Sequence, residues 1–396
     1  MTKPLEGVRV VDLSQITSGP FGTMVLAEQG ADVVKVESTT IGDLARRAPI
    51  SRNGMSSFVL NQNRGKRSIA VDLEHEAARA VTLDLMAGAD VVVQNFRPGV
   101  MEQLGLGYDD VCARNAGVIY VSISGFGPDG PYADRPALDP VIQALAGVVH
   151  RQQSEAIPLP DLVRNIFVDK ATSLTMAQSV CAALYRRTRT GQGDHIVLPM
   201  LDVGLYFFWP DGMMDMTFIG GGVAGGPRIV DLYRITHCAD GQLVYYIATE
   251  AQRHGLFRAV GHPEWSEDPR FGTTAALLDD GNRAELGGLL DAAFAALPLA
   301  DVLARLHEGS VPAAPVLEPE QVFEDPQVVH NGTLHTWDHP VAGRVRQPRH
   351  PVRFASSPTP VPEQVPGLGE HTDEILAELG RTDADIAALR ESGAVA

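Results

Sequence analysis

Two periodicities alternate along the first 125 residues, and this alternation restricts the fold more than any other feature of the chain. Residues 8–13 (VRVVDL) are short, apolar and β-branched, as a buried strand requires. Residues 21–29 carry a helical pattern closed by Gly30, and residues 32–37 (DVVKVE) form a second strand-like run. Strand, helix and strand within about thirty residues make a βαβ unit, which demands parallel strands and a right-handed crossover. The alternation continues with a strand-like 68–73, a helix-like 74–87, and strand-like 90–96 and 118–124. The expected fold class is α/β, an open Rossmann-like parallel sheet with helices on its faces.

A long helix is expected from Asp169 to about Arg187, with Arg186, Arg187 and Arg189 crowding its end and Gly191 at the C-terminal cap. Residues 195–201 read as a further strand. Residues 209–227 are rich in Gly and Met without a clean period, so a loop or linker is expected there. The pattern then turns mixed. Residues 242–249 are strand-like and 283–296 and 300–308 helix-like, which predicts a smaller α+β domain over 228–325. The remaining 326–396 hold short strand-like pieces, several prolines and a final helical stretch at 372–379.

The formal net charge of -17 argues against nucleic acid or an anionic membrane as the main partner, without forbidding an anionic ligand at a local basic cluster. Three widely spaced cysteines, Cys112, Cys181 and Cys238, fit neither a disulfide framework nor a zinc site, and no metal is expected. No signal peptide is visible, and no stretch approaches the roughly 20 apolar residues of a membrane helix. A soluble, cytoplasmic protein is the expectation.

Sheets of this type take ligands at the carboxyl ends of their strands. The turn after the first strand (SQITSGPFG) lacks G-x-G-x-x-G, and Walker A, G-x-S-x-G and H-E-x-x-H motifs are absent. What remains is Asp169, in NIFVDKATS at the start of the long helix. It can be read as an N-cap, accepting backbone N–H bonds. It can equally be read as an ionised carboxylate able to attack an activated carbonyl. Residues 220–226 (GGGVAGG) can bring backbone N–H groups close to a ligand, or serve as an interdomain hinge. His195 reads as a surface or satisfied histidine, and Glu370–His371 as a turn before a helix capped by Thr372.

Several segments in order resemble the class III CoA-transferase family, also called the CaiB/BaiF family. They are PLEGVRVVDLSQITSGPFGTMVLAEQGADVVKVE at the start, NRGKRSIAVDL (63–73), DVVVQNFRPGVMEQLGL (90–106), YVSISGFGPDGPYADRP (120–136), ALYRRTRTGQGDHIVLPMLD (183–202), VPAAPVLEPEQVFEDPQV (311–328) and PGLGEHTDEIL (366–376). The resemblance implies a large domain built from 1–208 and completed by a return segment, 326–396, with the smaller domain inserted between them. It implies two ring-like subunits interlocked as a homodimer. It implies coenzyme A as co-substrate, acyl-CoA and carboxylic acids as partners, and neither a metal nor a redox cofactor. Asp169 stands where the family's nucleophilic aspartate stands. The resemblance assigns CoA contacts to Ile16, Lys66, Arg67, Leu73, Asn95, Phe96, Arg97 and Met200, and a closing loop to Gly220, Gly221, Gly222, Gly225 and Gly226. A solvated turn for Lys66 and Arg67 and core packing for Met200 are the plainer readings.

The chain departs from the family's pattern in places. Thr17 stands where some transferases carry glutamine, basic residues of relatives are absent at Ser38 and Gln103, and GGGVAGG differs from the GGGGQ-type loop of formyl-CoA transferase. Formyl-CoA or oxalate specificity is therefore not implied. The related α-methylacyl-CoA racemases need a second acid/base group, a histidine before an aspartate. Here Pro136-Ala137-Leu138-Asp139 puts a leucine there, and Leu138 cannot shuttle a proton. A non-catalytic CoA-binding protein is the other alternative, against which Asp169 counts. The aromatic and Met-rich residues 204–218 suit an apolar acyl pocket, core or interface packing equally.

Overall fold

The computed structural model describes residues 3–153, 158–223, 226, 228–357 and 361–396. Among them, six strands form one parallel sheet: β1 (Arg9–Asp12), β2 (Asp32–Ser38), β3 (Lys66–Val71), β4 (Val91–Gln94), β5 (Ile119–Ser124) and β6 (Asp194–Pro199). Their order across the sheet is β3-β2-β1-β4-β5-β6, every pair parallel. The central strands β1, β4 and β5 are mostly apolar without strict alternation because both faces are covered. Val10, Val33, Val91, Val93, Ile119 and Val121 join a core with helices α1 (Pro20–Glu28) and α4 (Phe167–Thr190). Val11, Val34, Ile69, Val92 and Tyr120 join an opposite core with α2 (Glu76–Ala87) and the C-terminal helices Thr372–Glu378 and Asp383–Glu391. Successive side chains of one strand therefore feed two cores, as a period of two requires. A further helix, α3 (Asp139–Leu145), lies between β5 and α4 in sequence.

The chain divides into two compact units, residues 1–208 with 331–396, and residues 209–330. The second holds an antiparallel sheet of Thr236–His237, Gln242–Tyr245 and Ala313–Pro315, with a core built on Phe257, Phe271 and Phe294. The stretch read as a loop over 209–227 begins in a helix, Met200–Gly212, in spite of Pro210. The return to the first unit falls at Asn331 rather than 326, at the last residue of the short helix Pro326–Asn331. Thr372 is not a cap. Its hydroxyl donates to the Ala396 carbonyl at 2.7 Å and accepts from the Ala70 N–H at 3.2 Å, tying the last helices to β3. Among the described residues no helix is long and apolar enough to cross a membrane.

Candidate active site

The strand order reverses direction between β1 and β4. The loops leaving their carboxyl ends diverge there and open a crevice, the place where sheets of this kind receive ligands. A cleft of about 360 Å³ lies in it, lined by Gln15, Ile16 and Ser18 after β1, by Asn95, Phe96 and Arg97 after β4, and by Asp169 and Met200. Its volume falls in the range of small-molecule sites.

The first wall is a strained loop held from behind. Ile16 is β-branched yet sits at φ 66°, a left-handed conformation that costs roughly 1–2 kcal/mol for an L-residue with a Cβ. Its N–H donates to Asp43 at 2.9 Å, and Asp43 is paired with Lys35 at 2.9 Å, both side chains sealed from solvent. Lys35 also donates to the Ser14 carbonyl at 2.8 Å. Asn95 clamps the loop from the other strand. It accepts from the Gln15 N–H and donates to the Gln15 carbonyl, each at 2.8 Å, and donates to the Ser18 hydroxyl at 3.1 Å. Gly19 is obligatory below it, since a Cβ there would overlap the Ser14 side chain.

The opposite wall is the amino end of α4. Asp169 lies in its first turn, but the N-cap is Ile166 and makes no side-chain cap. The capping is done from α3. Asp139 accepts from the Val168 N–H at 2.8 Å and the Asp169 N–H at 3.1 Å, and also from the Gln143 amide. The N-cap reading of Asp169 is thereby corrected: a carboxylate thirty residues earlier satisfies those amides. Among the described residues the Asp169 carboxyl oxygens have no hydrogen-bond donor, and the residue is only 6% exposed. Burial, with the nearby Asp139 carboxylate adding to it, pushes the Asp169 carboxyl from its ordinary 3.8 up to about 7. Ser173, one turn on, donates to the Thr17 and Ser18 carbonyls at 2.8 and 3.0 Å, so the loop and the helix form one wall-to-wall unit.

The structure therefore brings together Ile16, Asn95, Phe96, Arg97, Asp169 and Met200. It does not bring Lys66, Arg67 or Leu73 to the cleft. Lys66 is fully buried and donates to Asp12 at 2.9 Å, the Pro20 carbonyl at 2.9 Å and Asn63 at 2.8 Å, which uses all three ammonium protons. Burial pulls Lys66 down to about 8, only partly offset by Asp12. Burial would raise Asp12, but Lys66 and Lys35 outweigh it and hold that carboxyl well below the usual range. Arg67, the second residue of β3, lies at the amino end of the sheet, away from the crevice, and pairs with Asp32, Glu374 and Glu378. Leu73 packs against the core under the C-terminal helices. Gly220, Gly221, Gly222 and Gly226 are exposed members of the second unit, two of them at positive φ (Gly220 and Gly222), and Gly225 lies outside the described residues.

Sequence reasoning missed Arg135, which lines the cleft together with Leu138, the residue already compared with the racemase histidine. Nothing local marks Arg135; it is held by stacking over the Tyr132 ring at 3.8 Å. Arg97 and Arg135 are the cleft's cations, and Arg97 is exposed without a partner among the described residues. His195 is a satisfied histidine, 3.0 Å from the Ser122 hydroxyl and stacked on Tyr108. Among the described residues no group of three or more His, Cys, Asp or Glu could hold a metal ion.

Fold and site together describe an α/β protein with a free, buried carboxylate at the crevice where such sheets take their ligands. Residues 5–372 match the family described as CoA-transferase family III, and the chain belongs to that family. It is 32% identical to a formyl-CoA:oxalate CoA-transferase from a Bradyrhizobium species, over 100% of this chain and 98% of the relative. It is 32% identical to the succinyl-CoA:glutarate CoA-transferase of Mus musculus, over 96% of this chain and 87% of the relative. The crystal structure of a CaiB/BaiF family protein from Brucella suis aligns with a TM-score of 0.82 at 33% identity, covering 96% of this chain and 100% of that one.

Proposed function

We propose that the protein transfers coenzyme A from an acyl-CoA donor to a carboxylic acid, with Asp169 as the nucleophile. One observation carries this reading: the Asp169 carboxyl faces the crevice with no hydrogen-bond donor to quench it, opposite the residues placed after β1 and β4. A carboxylate raised to about 7 is a stronger nucleophile than an ordinary one and still largely ionised above neutrality. It attacks the donor thioester carbonyl, forming a mixed anhydride and releasing CoA thiolate. The thiolate attacks the aspartyl carbonyl, giving an Asp169–CoA thioester and freeing the donor acid. The acceptor carboxylate attacks that thioester, forming a second anhydride and releasing the thiolate again. The thiolate attacks the acceptor's acyl carbonyl, yielding the new acyl-CoA and restoring Asp169. Thiolate leaves readily because its thiol ionises near pH 8.5. Arg97 and Arg135 are suited to the CoA phosphates. The cleft offers Leu138 in place of a second proton donor, which favours transfer over racemisation.

The active form is a homodimer. Tyr206 and Phe207 are 84% and 61% exposed on the Met200–Gly212 helix, apolar surface that association would cover. Light scattering of the purified protein reads that directly. For the chemistry, hydroxylamine added with donor acyl-CoA should leave a hydroxamate on Asp169, found by mass spectrometry of the peptides. Wild-type transfer by an Asp169→Ala protein would overturn the assignment.

A further inference from the structure

The nucleophile assigned above is positioned by a second carboxylate that never needs to touch substrate. Asp139 is 2% exposed and Gln143 equally buried. Asp139 spends one oxygen on the Val168 and Asp169 N–H groups, and the other on the Gln143 amide. Gln143 continues the clamp. Its amide donates to the Val163 carbonyl at 3.2 Å and the Asn165 carbonyl at 3.1 Å, and its oxygen accepts from the Val163 N–H at 3.1 Å. Every contact fixes the segment that turns into α4, so the Asp139–Gln143 pair determines where the first turn of that helix begins. A helix start is normally capped by the side chain of its N-cap residue, and here that residue is Ile166, which has no acceptor. Asp139 supplies the missing acceptor from α3 and so holds the turn that carries Asp169.

We infer that Asp139 is the positioning residue of the reaction: by capping α4, whose own N-cap Ile166 offers no acceptor, and by setting a negative charge beside Asp169, it holds the turn that carries the nucleophile and keeps its oxygens directed into the cleft. The charge has a second effect, because two carboxylates this close disfavour joint ionisation. The other charged groups near the site cannot substitute for it. Lys170, next on α4, donates to Asn165 at 2.9 Å; Arg97 and Arg135 stand on the cleft wall; and the Lys35–Asp43 pair lies behind Ile16.

This inference rests on Asp169 as nucleophile, and its test separates the two. Asp139→Asn keeps the shape and removes the charge, and Asp139→Ser keeps only a short capping oxygen, so one variant remains informative if the other fails to fold. Each full-length protein is assayed for CoA transfer across pH 5–9. The Asp169 carboxyl is titrated in parallel by carbon-13 NMR, a readout independent of turnover. In Asp139→Asn the acid limb and the Asp169 titration should both move to lower pH by about one unit, because the like charge is gone. In both variants kcat should fall about 10–100-fold with the KM for acyl-CoA nearly unchanged, since orientation and not binding is lost. An unmoved acid limb and titration, or a loss expressed only in KM, would overturn the inference. Should the titration move while Asp169→Ala still transfers CoA, the positioning would stand and the nucleophile assignment would fall.

Discussion

Replacing Asp169 by asparagine should make the folded protein more stable, by an amount that grows as pH rises. The carboxyl ionises at about 7 in the folded chain, against 3.8 ordinarily. Folding therefore raises its proton affinity by about 3 pH units, and at about 1.36 kcal/mol per unit the ionised form costs about 4 kcal/mol of stability. The direction follows from proton counting. Between pH 3.8 and 7 the native state holds a proton that the unfolded chain has released, so this group's contribution to stability falls as pH rises through that window. Above it the full cost applies. Asparagine has the same shape and no charge, so it carries none of this. The stability gap between Asp169→Asn and wild type should be near zero at pH 4 and grow to a ceiling of about 4 kcal/mol by pH 8, water in the cleft reducing it. Urea denaturation of both proteins at matched concentration measures the gap, and carboxylates remote from the site cancel in the difference. A residue that only capped a helix would give the opposite sign, a loss of about 1 kcal/mol on removal. A gap absent at pH 8, or equal at pH 4 and pH 8, would refute the reasoning.

Arg97→Ala should raise the KM for acyl-CoA roughly 10–100-fold, as expected for losing a charge-assisted phosphate contact, while Arg67→Ala should leave it unchanged; steady-state kinetics distinguish them. Asn95→Ala removes the clamp on residues 15–18 and should destabilise the protein by about 1–3 kcal/mol, visible as a lower urea midpoint. Gly22→Ala puts a methyl 2.5 Å from the Ser173 carbonyl, prying α1 from α4, and should cost about 1–3 kcal/mol together with much of the activity.

The βαβ alternation was legible because a strand buried on both faces is mostly apolar, and because Gly30 and Gly191 end helices by a backbone rule that is local. Asp169 was legible as a residue standing alone at a helix start. Its role was not, since the choice between capping and attack depends on where the helix begins, and that start, with Ile166 as N-cap, is held by Asp139 from another helix. Lys66 and Arg67 show the same limit. Adjacent basic residues read alike in a sequence, yet alternate side chains of a strand face opposite ways. One is consumed by Asp12, Pro20 and Asn63, the other by carboxylates at the wrong end of the sheet. Secondary structure and the sheet's parallel sense follow from local periodicity and short connections, and both can be read along the chain. Which carboxylate stays unpaired, which cation stays free and what proton affinity burial imposes depend on partners distant in the chain, and these are set only when the chain folds.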